Sequence, residues 1–160
     1  MAELDTVREH RAVFLANQRF YTAFEHLNIR EMDVVWLHDE RVQCIHPGWP
    51  RLAGWPAIRD SWVRIFNNTR SMVFQIAEPR IAVQGSIAWV VCVERITALV
   101  DETPQETQVL ATNVFVRRAE NSNGLEPAEA DRWLMVHHHG SPIFHRLAER
   151  DDAAEQEGSL

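Results

Sequence analysis

The chain has 160 residues, 46% of them hydrophobic and 24% charged, with a formal net charge of −7. That length and balance describe one globular domain with a real core and exclude a disordered chain. The acidic excess argues against nucleic acid or an anionic membrane as a partner, because phosphate binding needs a basic face.

The first 27 residues carry apolar groups at helical spacing. Val7, Phe14, Tyr21 and Phe24 recur by three, four or seven, and Leu4, Val13, Phe20 and Leu27 widen the stripe. Asp5-Thr6 supplies an N-cap. A second, shorter helix fits Arg30 to Leu37, with Met32, Val35 and Trp36 inward, and Asn28 reads as a cap or stop between the two. A strand follows at about 41–46. The next stretch, HPGWPRLAGWP, holds three prolines and two glycines and is read as irregular. Pro56 then opens a third helix that reaches about Asn67, with Trp55, Ile58, Trp62, Ile65 and Phe66 on one stripe.

From Ser71 the period changes from 3.6 to two. MVFQIAEPRIAVQG, SIAWVVCVERITALV, TQVLATNVFVRR and RWLMVHHHGS read as four antiparallel strands. Gly85-Ser86 and Asp101 to Glu106 are the hairpin connections, and a polar loop over 119–131 joins the last two strands. Helices first and strands after predict an α+β domain, with helices packed on one face of a curved, mostly antiparallel sheet. We expect the domain to span 1–145, followed by a charged tail at 146–160. A sheet that curls around helices leaves a cone-shaped cavity suited to a small apolar molecule.

Cys44 and Cys92 lie in apolar runs without CxxC spacing and read as buried free thiols. No secretory leader opens the sequence and no apolar run reaches transmembrane length. A cytoplasmic protein without a membrane partner is expected.

Several polar residues interrupt apolar patterns. His46 ends the first strand beside a Pro-Gly turn. It reads either as a base at a pocket mouth or as a cap on the turn. Strict alternation puts His137 and His139 on one face with Trp133 and Met135, and His138 on the other. Two histidines of one face plus His46 would make a zinc set, but no HExxH or CxxC pattern accompanies them. No metal or cofactor is expected. Glu94 and Arg95 break the apolar run WVVCVERIT, and one of them must face inward with a partner. If Glu94 does, it shares its face with Val90, Cys92 and Ile96. Asn113 likewise shares a face with Ala111 and Phe115. Trp36, Trp62 and Trp89 sit at core-like spacing, while Trp49 belongs at a pocket rim. No phosphate loop, GxSxG elbow or Cys-His pattern supports covalent catalysis.

The element order, the HPGW turn and the ending RWLMVHHHGSP resemble the nuclear-transport-factor-two-like superfamily, a cystatin-like α+β cone. Within it the chain resembles the SnoaL-like branch and the association domain of calcium/calmodulin-dependent kinases. The last strands of that domain are similar to ATNVFVRR and to W-x-x-V-H-x-H-x-S, here Trp133, Val136, His137, His139 and Ser141. The resemblance covers about residues 8–143. It implies a fold that hosts isomerases, cyclases, epoxide hydrolases, dehydratases and non-enzymatic scaffolds.

Steroid isomerases of this superfamily place an aspartate base before a proline, where this chain has His46-Pro47. Phe20 and Asn113 fall at the oxyanion positions, and Tyr21 is turned about 100° around the helix from Phe20. Glu94 and Asn113 align with two pocket arginines of the kinase domain, so that anionic site is not preserved. The resemblance also places Glu94 and His138 inward and His137 and His139 outward. It implies a homodimer through the outer sheet face, with Trp133, Met135 and Trp89 as contacts.

The catalytic candidates are therefore His46 as base, Glu94 or His138 as relay, and Asn113 as oxyanion donor. Phe20, Tyr21, Trp49, Trp62, Cys92 and Phe115 would line the ligand. The reaction expected is cofactor-free proton transfer on an apolar carbonyl compound, of isomerase, cyclase or dehydratase type. The alternative is a non-catalytic ligand-binding or assembly module.

Overall fold

The computed structural model describes residues 2–100, 102–118 and 133–144. The Leu4 side chain, the loop at 119–131 and the tail beyond 145 lie outside the described residues. Three helices, α1 (Ala2–Glu25), α2 (Ile29–Val35) and α3 (Trp55–Asn67), cover one face of a six-stranded sheet. The strands are β1 (Gln43–Ile45), β2 (Leu52–Ala53), β3 (Met72–Gln84), β4 (Ile87–Val100), β5 (Thr103–Arg117) and β6 (Trp133–Pro142). Their order is β2-β1-β6-β5-β4-β3. Only β1 and β6 pair in parallel; every other neighbouring pair is antiparallel.

The buried arc of α1 is centred on Val13, Phe20 and Phe24. Val7 and Phe14 fall roughly 120° around the helix from its middle, and are 62% and 40% exposed. They do not belong to the core stripe. Asp5-Thr6 is not a cap either, because the helix already begins at Ala2. Asp5 instead sits near the N-terminus, where a carboxylate complements the helix dipole. Asn28 does cap α2: its Oδ1 accepts from the backbone N–H groups of Arg30 and Glu31 at 3.0 and 3.3 Å. Pro56 stands in the first turn of α3, where no N–H is needed.

The stretch after His46 is not wholly irregular. Leu52 pairs with Cys44 and Ala53 with Gln43, adding a two-residue edge strand that proline and glycine spacing concealed. The β4–β5 connection is also tighter than expected, since Val100 already pairs with Thr103. Pro104 then lies in a part of β5 that β6 does not reach, so its missing N–H breaks no ladder.

Two bulges bend the sheet. In β3, Glu78 and Pro79 together oppose the single residue between Val91 and Val93, and Glu78 takes a φ of 53°. In β6, Met135 pairs with Phe115 and His137 with Val114, leaving Val136 as the extra residue. That second bulge changes the phase of the strand. Trp133 and Met135 face the core along with His138, against strict alternation, and are not available on the outer face. Of the three aromatic or sulfur contacts expected there, only Trp89 is exposed, at 37%, which also removes it from the core.

Candidate functional site

The inner sheet face is apolar except at a few places. Glu94 (β4), Asn113 (β5), His138 (β6) and His46, which follows β1, all point into it and are at most 3% exposed. Arg95 is exposed, so Glu94 is the inward member of that pair. Phe20, Tyr21, Trp62, Cys92 and Phe115 are buried around them. Trp49 alone among the expected lining residues reaches the surface, at 37% exposure, edge-on to His46 with ring centroids 5.0 Å apart.

Tyr21 is not turned away from this face. Its hydroxyl donates to Glu94 Oε1 at 2.7 Å and accepts from Asn113 Nδ2 at 3.1 Å. The other Asn113 amide hydrogen goes to Asn17 Oδ1 at 2.9 Å. Asn113 Oδ1 can only accept, so His138 Nδ1 carries a hydrogen and donates it at 2.6 Å. One chain of bonds thus runs Glu94–Tyr21–Asn113–His138. Asn113 is saturated by it and has no amide hydrogen left for a developing oxyanion, contrary to the role expected from its position.

The His46 ring packs edge-on against Trp62 at 4.6 Å and lies 6.5 Å from the His138 ring, centroid to centroid. Its Nε2 is 2.8 Å from Ser61 Oγ, which in turn lies 2.6 Å from the Ile58 carbonyl oxygen. Two oxygens that close need a hydrogen between them, and only the serine has one. Ser61 therefore donates to Ile58 and accepts from His46 Nε2–H. That leaves the lone pair on His46 Nδ1, whose nearest partner is the Cys44 sulfur at 3.8 Å. Trp62 Nε1, in the same aromatic cluster, is buried with no acceptor among the described residues.

Burial shifts these groups in opposite senses. Desolvation raises the Glu94 carboxyl to about 7, although the Tyr21 hydrogen bond pulls it down. His46 falls to about 4 through desolvation and the nearby Arg64 charge. His138 is pushed down to about 3 by desolvation first and by the other histidines after it. Desolvation also raises the Cys44, Cys92 and Tyr21 groups, so both free thiols are held in the SH form.

The zinc set is not assembled. His46 is on the inner face, while His137 and His139 project outward with ring centroids 6.3 Å apart. No cluster of metal-ligating side chains occurs among the described residues. Among the same residues, no helix is long and apolar enough to cross a membrane.

Residues 13–145 match the SnoaL-like domain. The chain belongs to the SnoaL-like family. F-box protein SKIP8 of Arabidopsis thaliana is 32% identical over 134 residues, which make up 84% of this chain and 51% of that protein. The SnoaL-like chain thus spans about half the length of this curated relative. A candidate dehydratase of the nuclear transport factor 2-like family from Streptomyces avermitilis is 29% identical. It superposes with a TM-score of 0.74 over 85% of this chain and 97% of its own. A candidate calcium/calmodulin-dependent protein kinase type II association domain from Thiobacillus denitrificans is 32% identical, with a TM-score of 0.66. That match covers 81% of this chain and 93% of that one. SnoaL-like and related domains include isomerases, dehydratases, and ligand-binding or assembly domains.

Two residues of this SnoaL-like interior escape a reading of the sequence. Asn17 sits in the buried arc of α1 between Val13 and Phe20, and Ser61 in that of α3 between Ile58 and Trp62. Each is a small polar residue on an apolar stripe, which is the one signal that marks it.

Proposed function

We propose that this chain is a cofactor-free enzyme that moves a proton on a small apolar carbonyl compound, in an isomerisation, cyclisation or dehydration. The observation that carries this reading is the opposed tuning of two buried groups on one sheet face. Glu94 is held up near 7 and His46 well below its usual value, so just below neutral pH one keeps a proton and the other offers a lone pair. Environments that drive two titratable groups apart mark acid and base assignments. His46 Nδ1 is the base, with its other nitrogen anchored by Ser61. Glu94 is the acid; the Tyr21 hydroxyl donates to its Oε1 and, bonded in turn to Asn113 and His138, holds that carboxyl in place. A positioned base of this kind contributes roughly 10²- to 10⁴-fold to rate.

The similarity to a candidate dehydratase supports the same reading. The test is histidine NMR of wild type against His46→Ala, with a library of apolar carbonyl compounds added. Enzyme function predicts that ligands move the His46 signal and that turnover is lost in the variant. A His46 signal that no compound moves would sink the catalytic reading.

A second reading is an assembly module. The outer sheet face exposes Val73, Ile87, Trp89 and Leu110, and the similar kinase association domain points the same way. We propose a homodimer through that face; sedimentation of Trp89→Glu as a monomer would support it, and an unchanged mass would refute it.

A further inference from the structure

Beside the acid–base network, α1 passes the edge strand β3. A cavity of about 500 Å³ lies there, within the roughly 300–1,000 Å³ of small-molecule sites. Its apolar walls are Phe14, Phe74, Ile76 and Pro79, and its floor includes Asn17 and Tyr21. We infer that this groove binds a neutral, apolar small molecule bearing one hydrogen-bond-accepting oxygen, which the Asn17 side-chain amide holds.

The wall is rigid. Phe74 packs on Tyr21 and Phe24, with ring centroids 5.4 and 4.6 Å away, and its backbone N–H donates to Glu25 Oε1 at 2.7 Å. The β3 bulge brings Pro79 to the groove. Phe14 is 40% exposed on the rim, an aromatic that the core does not use. The floor sets the chemistry. Asn17 is only 4% exposed and its Oδ1 is taken by Asn113, while its Nδ2 meets no acceptor among the described residues. Nδ2 is open to the groove, and a ligand oxygen takes the place of water as its acceptor. Among the described residues no cationic side chain lines the groove and Glu25 does, so a ketone, ester or amide fits where a carboxylate does not.

This inference rests on the proton-transfer reading for its choice of a carbonyl, but binding is measured without turnover. The probes are 4-fluoroacetophenone, 4-fluoroethylbenzene and 4-fluorobenzoate, titrated into the full chain labelled with ¹⁵N. The ketone should shift the Asn17 side-chain amide and bind about fivefold more tightly than the hydrocarbon, the contribution of one neutral hydrogen bond. Benzoate should not bind. Asn17→Leu should erase the preference for the ketone. Phe14→Ala, at an exposed position, should weaken both neutral probes and keeps the test open if the Asn17 variant misfolds. His46→Ala should leave the Asn17 shift in place, which separates failure of the catalytic reading from failure of this one. Equal binding of ketone and hydrocarbon would overturn the inference. So would shifts confined to a second cavity, of about 740 Å³, which Val73, Arg95 and Phe144 line.

Discussion

Ser61 has a single hydrogen, and the Ile58 carbonyl takes it. Everything about the orientation of His46 follows from that, because the imidazole must then donate through Nε2. Replacing Ser61 by alanine leaves a buried N–H without an acceptor, at a cost of about 1–3 kcal/mol. Urea unfolding should register that loss. Long-range ¹⁵N spectra should show His46 leaving the Nε2–H tautomer, a change that a merely structural serine would not cause. Asn113 and the Glu94-Arg95 pair were legible in the sequence as polar interruptions of strand alternation, and the choice of Glu94 and His138 as the inward residues came from the family resemblance. Ser61 and Asn17 were not legible, because a helix stripe tolerates one small polar residue without losing its period. Their roles appear only when the fold brings a partner from another element, as Asn113 is brought to Asn17 and His46 to Ser61.

At the level of elements, the helices and the four long strands could be read from periodicity, and Asn28 from its capping chemistry. What periodicity cannot carry is phase across a bulge. The β6 strand looks regular in sequence, yet Val136 shifts it, and two large side chains assigned to the outer face turn inward. The turn after His46 is seated in a similarly specific way. A Cβ on Gly140 would lie 3.0 Å from both Pro47 Cγ and Val109 Cγ1. Gly140 is thus the gap in β6 into which the proline settles, and the proline fixes the end of β1 where His46 begins. Gly140→Ala should cost about 1–3 kcal/mol by overpacking. It should also move the His46 ring signals more than those of His137, which a histidine-selective spectrum would check.

Over the whole molecule, the buried titratable groups make stability depend on pH in two opposed senses. His46 and His138 have lowered values, so the unfolded chain binds protons that the native chain refuses as pH falls below about 6.5. Their contribution is complete above that pH and declines toward pH 4. Glu94 has a raised value, so it works in the opposite sense. Its contribution is present below the ordinary 4.5 and is lost as pH rises through about 7. Two histidine gains outweigh the one carboxyl loss over the same range, so thermal melts should rise from pH 4 and level off near pH 7. Glu94→Gln, which keeps an acceptor for Tyr21, should remove the carboxyl loss, steepen the rise and raise the melting temperature at pH 8 by several degrees. Equal melting of variant and wild type at pH 8 would show that Glu94 is not desolvated as described. The upper part of that rise coincides with the window in which a protonated Glu94 faces a neutral His46.

The extra residue at Val136 also governs how this chain is to be aligned with its relatives. A relative that lacks it needs a one-position gap in the last strand. Without that gap, the histidine that reaches the interior would be equated with one that faces outward. Correspondence between sites across the family is therefore decided by where the insertion is placed, and less by how many residues are identical around it.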